Sequence, residues 1–412
     1  MTTNVTRRRV PRPAELAPLL RMRGFGGTPT TRRLDRAMTI EDLRRIARRR
    51  SPRPVFDYTD GGADEEISLR RNRAALERVE FRPRVLQDVS AVDTRSNLFG
   101  RSASFPLVLA PTGFTRMMHH EGELAVARAA QSAGVPYTLS TMGTCAIEQV
   151  ASAVHDSDLW FQLYLWRDRD ASRELVKRAR AAGFTTLVVT VDTPVPGSRL
   201  RDVYNGMTIP PSLTPRTLLS GAIRPHWWLN FLTTEPLTFA SLTAWNGTVA
   251  ELAAKLFDPA ATLADISRLR HEWDGTLLIK GIQHVDDAAM VIDAGADGVV
   301  LSNHGGRQLD RASVPIELLP SIRRSLGPNA QILVDGGITS GADIAAAIGL
   351  GADAVMIGRA YLYGLMAGGE LGVNRALDLL SEQFRRTMQL TGARTVSELR
   401  EDRVTLRSDA GI

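Results

Sequence analysis

From residue 106 onward the chain repeats one unit, a short β-branched or apolar run followed by a longer segment rich in alanine and charge. The runs are Pro106–Ala110, Pro136–Ser140, Trp160–Tyr164, Leu187–Val191, Leu277–Lys280, Gly298–Leu301, Gln331–Val334 and Ala354–Ile357. Helical patterning lies between them, at Glu121–Ala133, Ala171–Ala182, Asp286–Ala294 and Gly341–Leu350 among others. Eight βα units in series predict an α/β fold closed into a (β/α)8 or TIM barrel. An open doubly wound sheet is the alternative, but it ordinarily carries a glycine-rich turn after its first strand. Ala110-Pro111-Thr112-Gly113 has no such pattern.

The barrel is expected over residues 106–400, with a basic arm at 1–37 and a helical segment at 38–105 packing on it. Residues 1–37 lack hydrophobic periodicity and carry Pro, Gly and Arg, so they read as extended. Thr39, with Asp42 three residues on, reads as the N-cap of a helix Ile40–Arg49, bounded by Pro52 and Pro54. A second helix is expected at Ala63–Ala75. The rhythm breaks once, between strands four and five, where roughly 80 residues intervene, far beyond a usual βα connection. This insert, residues 200–276, holds Trp227, Trp228, Phe231, Trp245 and Phe257. Such a loop reads either as a lid or docking surface, or as a subunit-packing element.

Composition narrows the class. A chain of 412 residues, 43% hydrophobic and 23% charged, buries a large core without staples. Its single cysteine, Cys145, excludes an internal disulfide and a thiolate metal cluster, and points to a reducing, cytoplasmic setting. The basic N-terminus is followed by no apolar run, and no uninterrupted apolar stretch of about 18 residues occurs. Residues 1–50 hold 14 Arg and 4 acids (14 − 4 = +10), while the whole chain carries only +6. An arm of that kind suits nucleic acid, an anionic membrane or a neighbouring subunit, and the solvated or subunit-packing reading is preferred. Only three lysines occur, Lys177, Lys255 and Lys280, so one that ends an apolar strand calls for a chemical reason.

In a barrel, chemistry gathers at the C-terminal ends of the strands. In order, these ends carry Ala110-Pro111-Thr112-Gly113; Ser140-Thr141; Gln162 and Tyr164; Thr190-Val191-Asp192, then Arg199; Lys280; Ser302-Asn303-His304-Gly305-Gly306-Arg307; Asp335-Gly336-Gly337; and Gly358-Arg359. Polar ends on apolar strands are more than core packing requires. His304 and Arg307 offer a base of near-neutral type beside a carboxylate clamp, with glycines that let a substrate approach. The loops at Gly336-Gly337 and Gly358-Arg359 follow strands seven and eight, where barrels often hold phosphate. Lys280 needs either a job or a partner, and Asp335 is the candidate partner.

With Phe56-Asp57-Tyr58, Ala110-Pro111-Thr112, Phe161-Gln162-Leu163-Tyr164, Thr190-Val191-Asp192-Thr193-Pro194, Ile279-Lys280-Gly281, Ser302 to Asp310 and Ile357-Gly358-Arg359, the chain resembles the FMN-dependent α-hydroxy acid dehydrogenases over about residues 38–400. The resemblance implies FMN as cofactor, no metal, and oxidation of a small L-2-hydroxy acid such as L-lactate. It makes His304 the base, Asp192 its orienting carboxylate, Tyr164 the partner of the substrate hydroxyl region, and Tyr58, Arg199 and Arg307 the grip on the substrate carboxylate. Lys280 would face the flavin, along with Ser140, Gln162, Thr190, Ser302, Asp335 and the backbone of Ala110, Pro111, Thr112 and Gly113. Gly336, Gly337, Gly358 and Arg359 would serve the phosphate end.

Family members often have Arg where this chain has Thr339, which shifts more of the phosphate charge to Arg359. Met142 stands where plant glycolate oxidases have Trp, and Gly113 where oxidases tend to have Ala, so a quinone or cytochrome acceptor is expected. Oxidase, monooxygenase and mandelate or glycolate readings are the alternatives. The resemblance also implies a homotetramer and peripheral membrane contact through the insert, with Trp227-Trp228 near Arg224 and His226 as an interfacial anchor. Nucleic acid is not expected as a partner.

Overall fold

In the computed structural model, residues 10–12, 15, 27–206, 224–234, 257–400 and 402–407 are described. Eight parallel strands close into a barrel: β1 (Leu107–Leu109), β2 (Tyr137–Ser140), β3 (Leu159–Tyr164), β4 (Thr186–Thr190), β5 (Thr276–Ile282), β6 (Gly298–Leu301), β7 (Gln331–Asp335) and β8 (Ala354–Ile357). Each expected run is recovered to within one or two residues. Neighbours in the chain are neighbours in the barrel, and β8 pairs back onto β1 through Val355–Leu107, Met356–Val108 and Ile357–Leu109.

Alternation along the strands separates two apolar layers. Val108, Trp160, Val188, Leu278, Val300, Leu333 and Met356 fill the barrel interior. Leu107, Phe161, Leu187, Ile279, Val299, Ile332 and Val355 face the surrounding helices. The N-terminal end is closed by a small hairpin, Ser96–Leu98 with Arg101–Ala103, whose turn residue Phe99 meets Trp160 edge-on at 6.0 Å.

Before the barrel come α1 (Ile40–Arg50), α2 (Arg53–Asp60) and α3 (Ile67–Glu77). Thr39 and Asp42 form the expected capping box on α1. Pro52 and Pro54, expected as bounds of α1, instead open α2, because proline costs nothing in a first turn. α3 starts later than expected because Asp64 and Glu66 hold positive φ (42° and 59°), which breaks helical continuity. Asp310 then accepts from its first amides, Ile67 N at 3.2 Å and Ser68 N at 2.7 Å. A further short helix, Pro29–Leu34, buries Leu34 against the same core, inside the stretch read as an arm.

Around the barrel stand α4 (Gly122–Ala133), α5 (Ile147–Ser152), α6 (Arg169–Ala181), α7 (Leu263–Glu272), α8 (Val285–Asp293), α9 (Pro315–Leu326), α10 (Gly341–Gly349) and α11 (Arg359–Thr391), the last kinked at Gly368 and Gly369. The insert contributes the short helices Leu200–Tyr204 and Pro225–Thr233, and Trp245 lies outside the described residues. None of the described helices is long and apolar enough to cross a membrane.

Candidate active site

A cavity of about 1300 Å³ opens at the C-terminal mouth of the barrel, roofed by the pre-barrel segment and the chain after β4. That exceeds the ~300–1,000 Å³ typical of one small ligand, and leaves room for a cofactor beside a substrate. Its wall includes Tyr58, Ala110, Pro111, Thr112, Gly113, Tyr164, Thr190, Arg199, Lys280, His304, Arg307, Asp335, Gly336, Gly337, Gly358 and Arg359. Asp192, Ser140, Gln162 and Ser302 stand behind that wall and hold it.

The floor is a chain of side-chain hydrogen bonds running from strand to strand. Ser140 Oγ donates to Gln162 Oε1 at 3.1 Å, and Gln162 Nε2 donates to Thr190 Oγ1 at 3.0 Å. Thr190 is in register with Lys280. Lys280 Nζ donates to Ser302 Oγ at 2.8 Å and pairs with Asp335 Oδ2 at 3.0 Å. Lys280 therefore has the ion-pair partner offered for it and also lines the cavity. Burial disfavours its charge, but Asp335 and then Asp192 outweigh that and raise its pKa, so it stays an ammonium.

His304 Nδ1 lies 3.1 Å from Asp192 Oδ1. The histidine has φ +56°, a left-handed backbone that the glycines after it help to sustain, and Ser302 Oγ accepts its amide at 3.0 Å. The Asp192 side chain is 3% exposed and its Oδ2 has no partner. Burial pushes the Asp192 carboxyl up, yet the positive charge and hydrogen bond of His304, with Lys280, bring it below the usual range. The approach is close enough that a Cβ on Gly281 would sit 2.7 Å from Asp192 Cβ.

Three aromatic and cationic groups meet across the cavity. The guanidinium of Arg199 lies 5.2 Å from the Tyr58 ring centroid and that of Arg307 lies 5.1 Å from it. Arg307 Nη1 donates to Tyr58 O (2.7 Å) and Gly61 O (3.0 Å). Burial, then Arg199 and Arg359, press its pKa down to about 10. Arg199 pairs with Asp202 at 2.9 Å, and burial raises the pKa of that carboxyl. Burial, followed by Asp192 and Tyr58, also raises the phenol of Tyr164, which remains a donor. Arg359 spends its nitrogens on carbonyls: Thr59 (3.0 Å), Gly305 (2.8 Å) and Gly61 (2.8 Å).

Several wall residues make contacts across the fold that their motifs do not specify. Phe257 packs edge-on against Tyr164 at 5.7 Å. Gln308 ties the segment after β4 to the β6 loop, donating to Asp192 O and Val195 O and accepting from Gly197 N at 3.0 Å. Arg73 enters from α3. These contacts depend on tertiary approach and leave no local motif. The insert also differs in detail from expectation. Trp227 turns inward, its indole donating to Met117 O at 3.0 Å, while Leu229 and Leu232 are 62% and 69% exposed. The side chains of His226 and Phe231 lie outside the described residues.

The donor set suits a flavin nucleotide. Asp335 Oδ1 is buried without a partner, so the floor offers an unused acceptor beside Lys280. Backbone approach is close at the glycines: a Cβ at Gly337 would lie 2.8 Å from Asn72 O, and one at Gly113 would lie 2.8 Å from Met142 Cβ.

Residues 47–406 match the FMN-dependent dehydrogenase family. A putative L-lactate dehydrogenase of Mycobacterium tuberculosis is 56% identical over 398 residues, 97% of this chain and 96% of its own length. The L-lactate dehydrogenase of Caulobacter vibrioides is 44% identical over 367 residues, 87% of this chain and 95% of its own. Among solved structures, the monotopic membrane protein (S)-mandelate dehydrogenase aligns with a TM-score of 0.87 at 38% identity, covering 90% of this chain and all 100% of that one. Mandelate oxidase aligns with a TM-score of 0.79 at 41% identity, covering 90% and 98%.

Proposed function

The chain belongs to the FMN-dependent dehydrogenases and is an FMN-dependent L-2-hydroxy acid dehydrogenase, and from that premise we propose that its substrate is L-lactate, oxidised to pyruvate with electrons passed on to a quinone or cytochrome. One observation carries the reading: the His304–Asp192 pair, the Arg307–Tyr58–Arg199 cluster and Lys280 all converge on one cavity.

FMN, when bound, accepts the two electrons given up by the substrate carbon. His304 takes a proton at Nε2, because Nδ1 is committed to Asp192. Asp192, buried and ionised, stabilises the imidazolium that results. Arg307 and Arg199 hold the substrate carboxylate beside Tyr58, and Tyr164 donates to the oxygen of the reacting carbon. Lys280 supplies a fixed positive charge where the cofactor becomes more negative. Ser140, Gln162, Thr190, Ser302 and Asp335 brace that floor; the backbone of Ala110 to Gly113 would hold the ring, and Gly336, Gly337, Gly358 and Arg359 would serve the phosphate.

The two L-lactate dehydrogenases, which match nearly their whole length, favour lactate over mandelate. Phe257, packed on Tyr164, and Met142, beside Gly113, add apolar bulk to the cavity wall. The proposal extends to a homotetramer on the cytoplasmic face of a membrane, attached peripherally through Leu229 and Leu232 of the helix Pro225–Thr233, in the division 1–37, 38–105 and 106–400 expected from the sequence.

The test is the visible spectrum of the purified protein, anaerobic, before and after L-lactate. Bleaching of a bound yellow flavin is the expected result. Bleaching by another 2-hydroxy acid but not by lactate would overturn the substrate, and rapid peroxide formation in air would overturn the acceptor.

A further inference from the structure

The glycine-lined end of the cavity lacks an obvious cation for a dianionic group. The loop after β7, Asp335 to Ser340, has no basic residue of its own. The first amides of α10 are already spent: Thr339 N and Ser340 N donate to Asp343 Oδ2, each at 2.9 Å, and Gly341 N donates to Gln383 Oε1 at 3.0 Å. Arg359 points its nitrogens at three carbonyls. Besides the second N–H on each Nη of Arg359, what remain are the amides of Gly336, Gly337 and Ile338, which have no acceptor among the described residues, and a second guanidinium that reaches the loop from outside the barrel.

That guanidinium is Arg73 of α3. Its Nη1 donates to Asp343 Oδ2 (2.6 Å), Thr339 Oγ1 (2.9 Å) and Gly337 O (3.2 Å), and its Nε to Glu77 at 3.2 Å. Its Nη2 has no partner among the described residues, and the side chain lines the cavity beside Gly336, Gly337 and Thr339. We propose that Arg73 is a ligand of the cofactor phosphate, held by Asp343 so that its free Nη2 faces the amides of the Gly336–Ile338 loop. This rests on reading the cavity as the FMN site with its phosphate at the glycine end.

The charges are consistent with that role. Asp343 is 6% exposed, and its Oδ2 is shared among Arg73, two loop amides and the Thr339 hydroxyl, so its charge is spread over the loop. Glu77, at 64% exposure, is screened by solvent. Arg73 itself stays charged, because Asp343 outweighs the burial that opposes its charge. A guanidinium whose position is fixed by a buried carboxylate loses little rotamer freedom on gaining a phosphate oxygen, which favours it over a mobile surface cation.

The experiment compares FMN with riboflavin, which lacks the phosphate. Full-length protein is stripped of flavin, and each ligand is titrated by quenching of its fluorescence, for wild type, Arg73→Met and Arg73→Lys. Wild type is expected to prefer FMN. Arg73→Met should weaken FMN by about tenfold or more, the usual scale for a lost charged hydrogen bond, and leave riboflavin unchanged, with Arg73→Lys between. Equal weakening of both ligands, or unchanged FMN affinity, would overturn the assignment and leave Arg73 as a tie between α3 and α10. A wild type that does not distinguish the two ligands would overturn the underlying reading of the glycine end as well. Should Arg73→Met not fold, the same comparison on Arg73→Lys decides the question.

Discussion

Replacing Asp192 with Asn removes one negative charge and little volume. Against its burial, the hydrogen bond from His304 and the nearby ammonium of Lys280 favour the ionised carboxylate, so the charge is there to lose. Its Oδ1 is 3.1 Å from His304 Nδ1, and the side chain is 3% exposed. At an effective dielectric of about 20, opposite unit charges some 4 Å apart attract by roughly 4 kcal/mol. That attraction exists only once His304 is protonated, so it lowers the barrier rather than the energy of the bound substrate. With about 1.4 kcal/mol per decade, Asp192→Asn should lower kcat/KM by roughly 10³-fold. The assay is anaerobic stopped-flow bleaching of the flavin by L-lactate, with FMN content and thermal unfolding measured alongside. A loss of less than tenfold, with FMN retained, would refute the imidazolium argument. A large loss that tracks missing FMN or a collapsed fold would make Asp192 a scaffold residue instead.

Two further outcomes follow from the same chemistry. Asp60 is buried and receives Arg44 Nε (2.5 Å), Tyr363 OH (2.8 Å) and Arg201 Nη1 (3.0 Å); burial raises its pKa but these donors outweigh it, so the net shift is downward. A depressed carboxyl stabilises the fold above its unfolded value, and that contribution is lost as pH falls through the folded one. Asp60→Asn should therefore cost about 3–5 kcal/mol in denaturant unfolding at pH 7, and the gap to wild type should close below about pH 4; a gap independent of pH would refute the charge argument. For membrane attachment, Leu229→Ser with Leu232→Ser should move the protein from the pellet to the supernatant when it is spun with anionic vesicles, without loss of lactate oxidation; unchanged sedimentation would refute the docking role.

The barrel was legible because its strands are apolar runs with polar ends, and both halves of that pattern are local. His304, Arg307, Asp192 and Lys280 were found because each terminates or follows such a run. Helix α2 is hidden in the sequence because Pro52 and Pro54 read as breakers where they serve as a start, and α11 because its glycine pair at 368–369 interrupts the period. Arg73 was invisible for a different reason. Its partners Gly337, Thr339 and Asp343 are more than 260 residues away, and nothing in its local spacing records the meeting. Arg359 marks a middle case: its position at the end of β8 was readable, but its three carbonyl partners at Thr59, Gly61 and Gly305 were not.

Those carbonyls bear on how the mouth of the barrel is balanced. Arg199 has Asp202, Lys280 has Asp335, and Asp192 has His304. Arg307 and Arg359 have no carboxylate within ion-pair distance among the described residues, and share the Gly61 carbonyl. Carbonyl dipoles hold a guanidinium in place but do not neutralise it, which is why burial and its neighbours press Arg307 down to about 10. The folded protein thus carries two positive charges without a carboxylate partner, at the positions proposed for the substrate carboxylate and the cofactor phosphate, and burial opposes the charge at the first, Arg307. Each anion, on binding, supplies the counter-charge the fold omits. Binding energy at this mouth is therefore also folding energy, and the flavin and the hydroxy acid should each protect the chain against unfolding in proportion to their affinity for the native state.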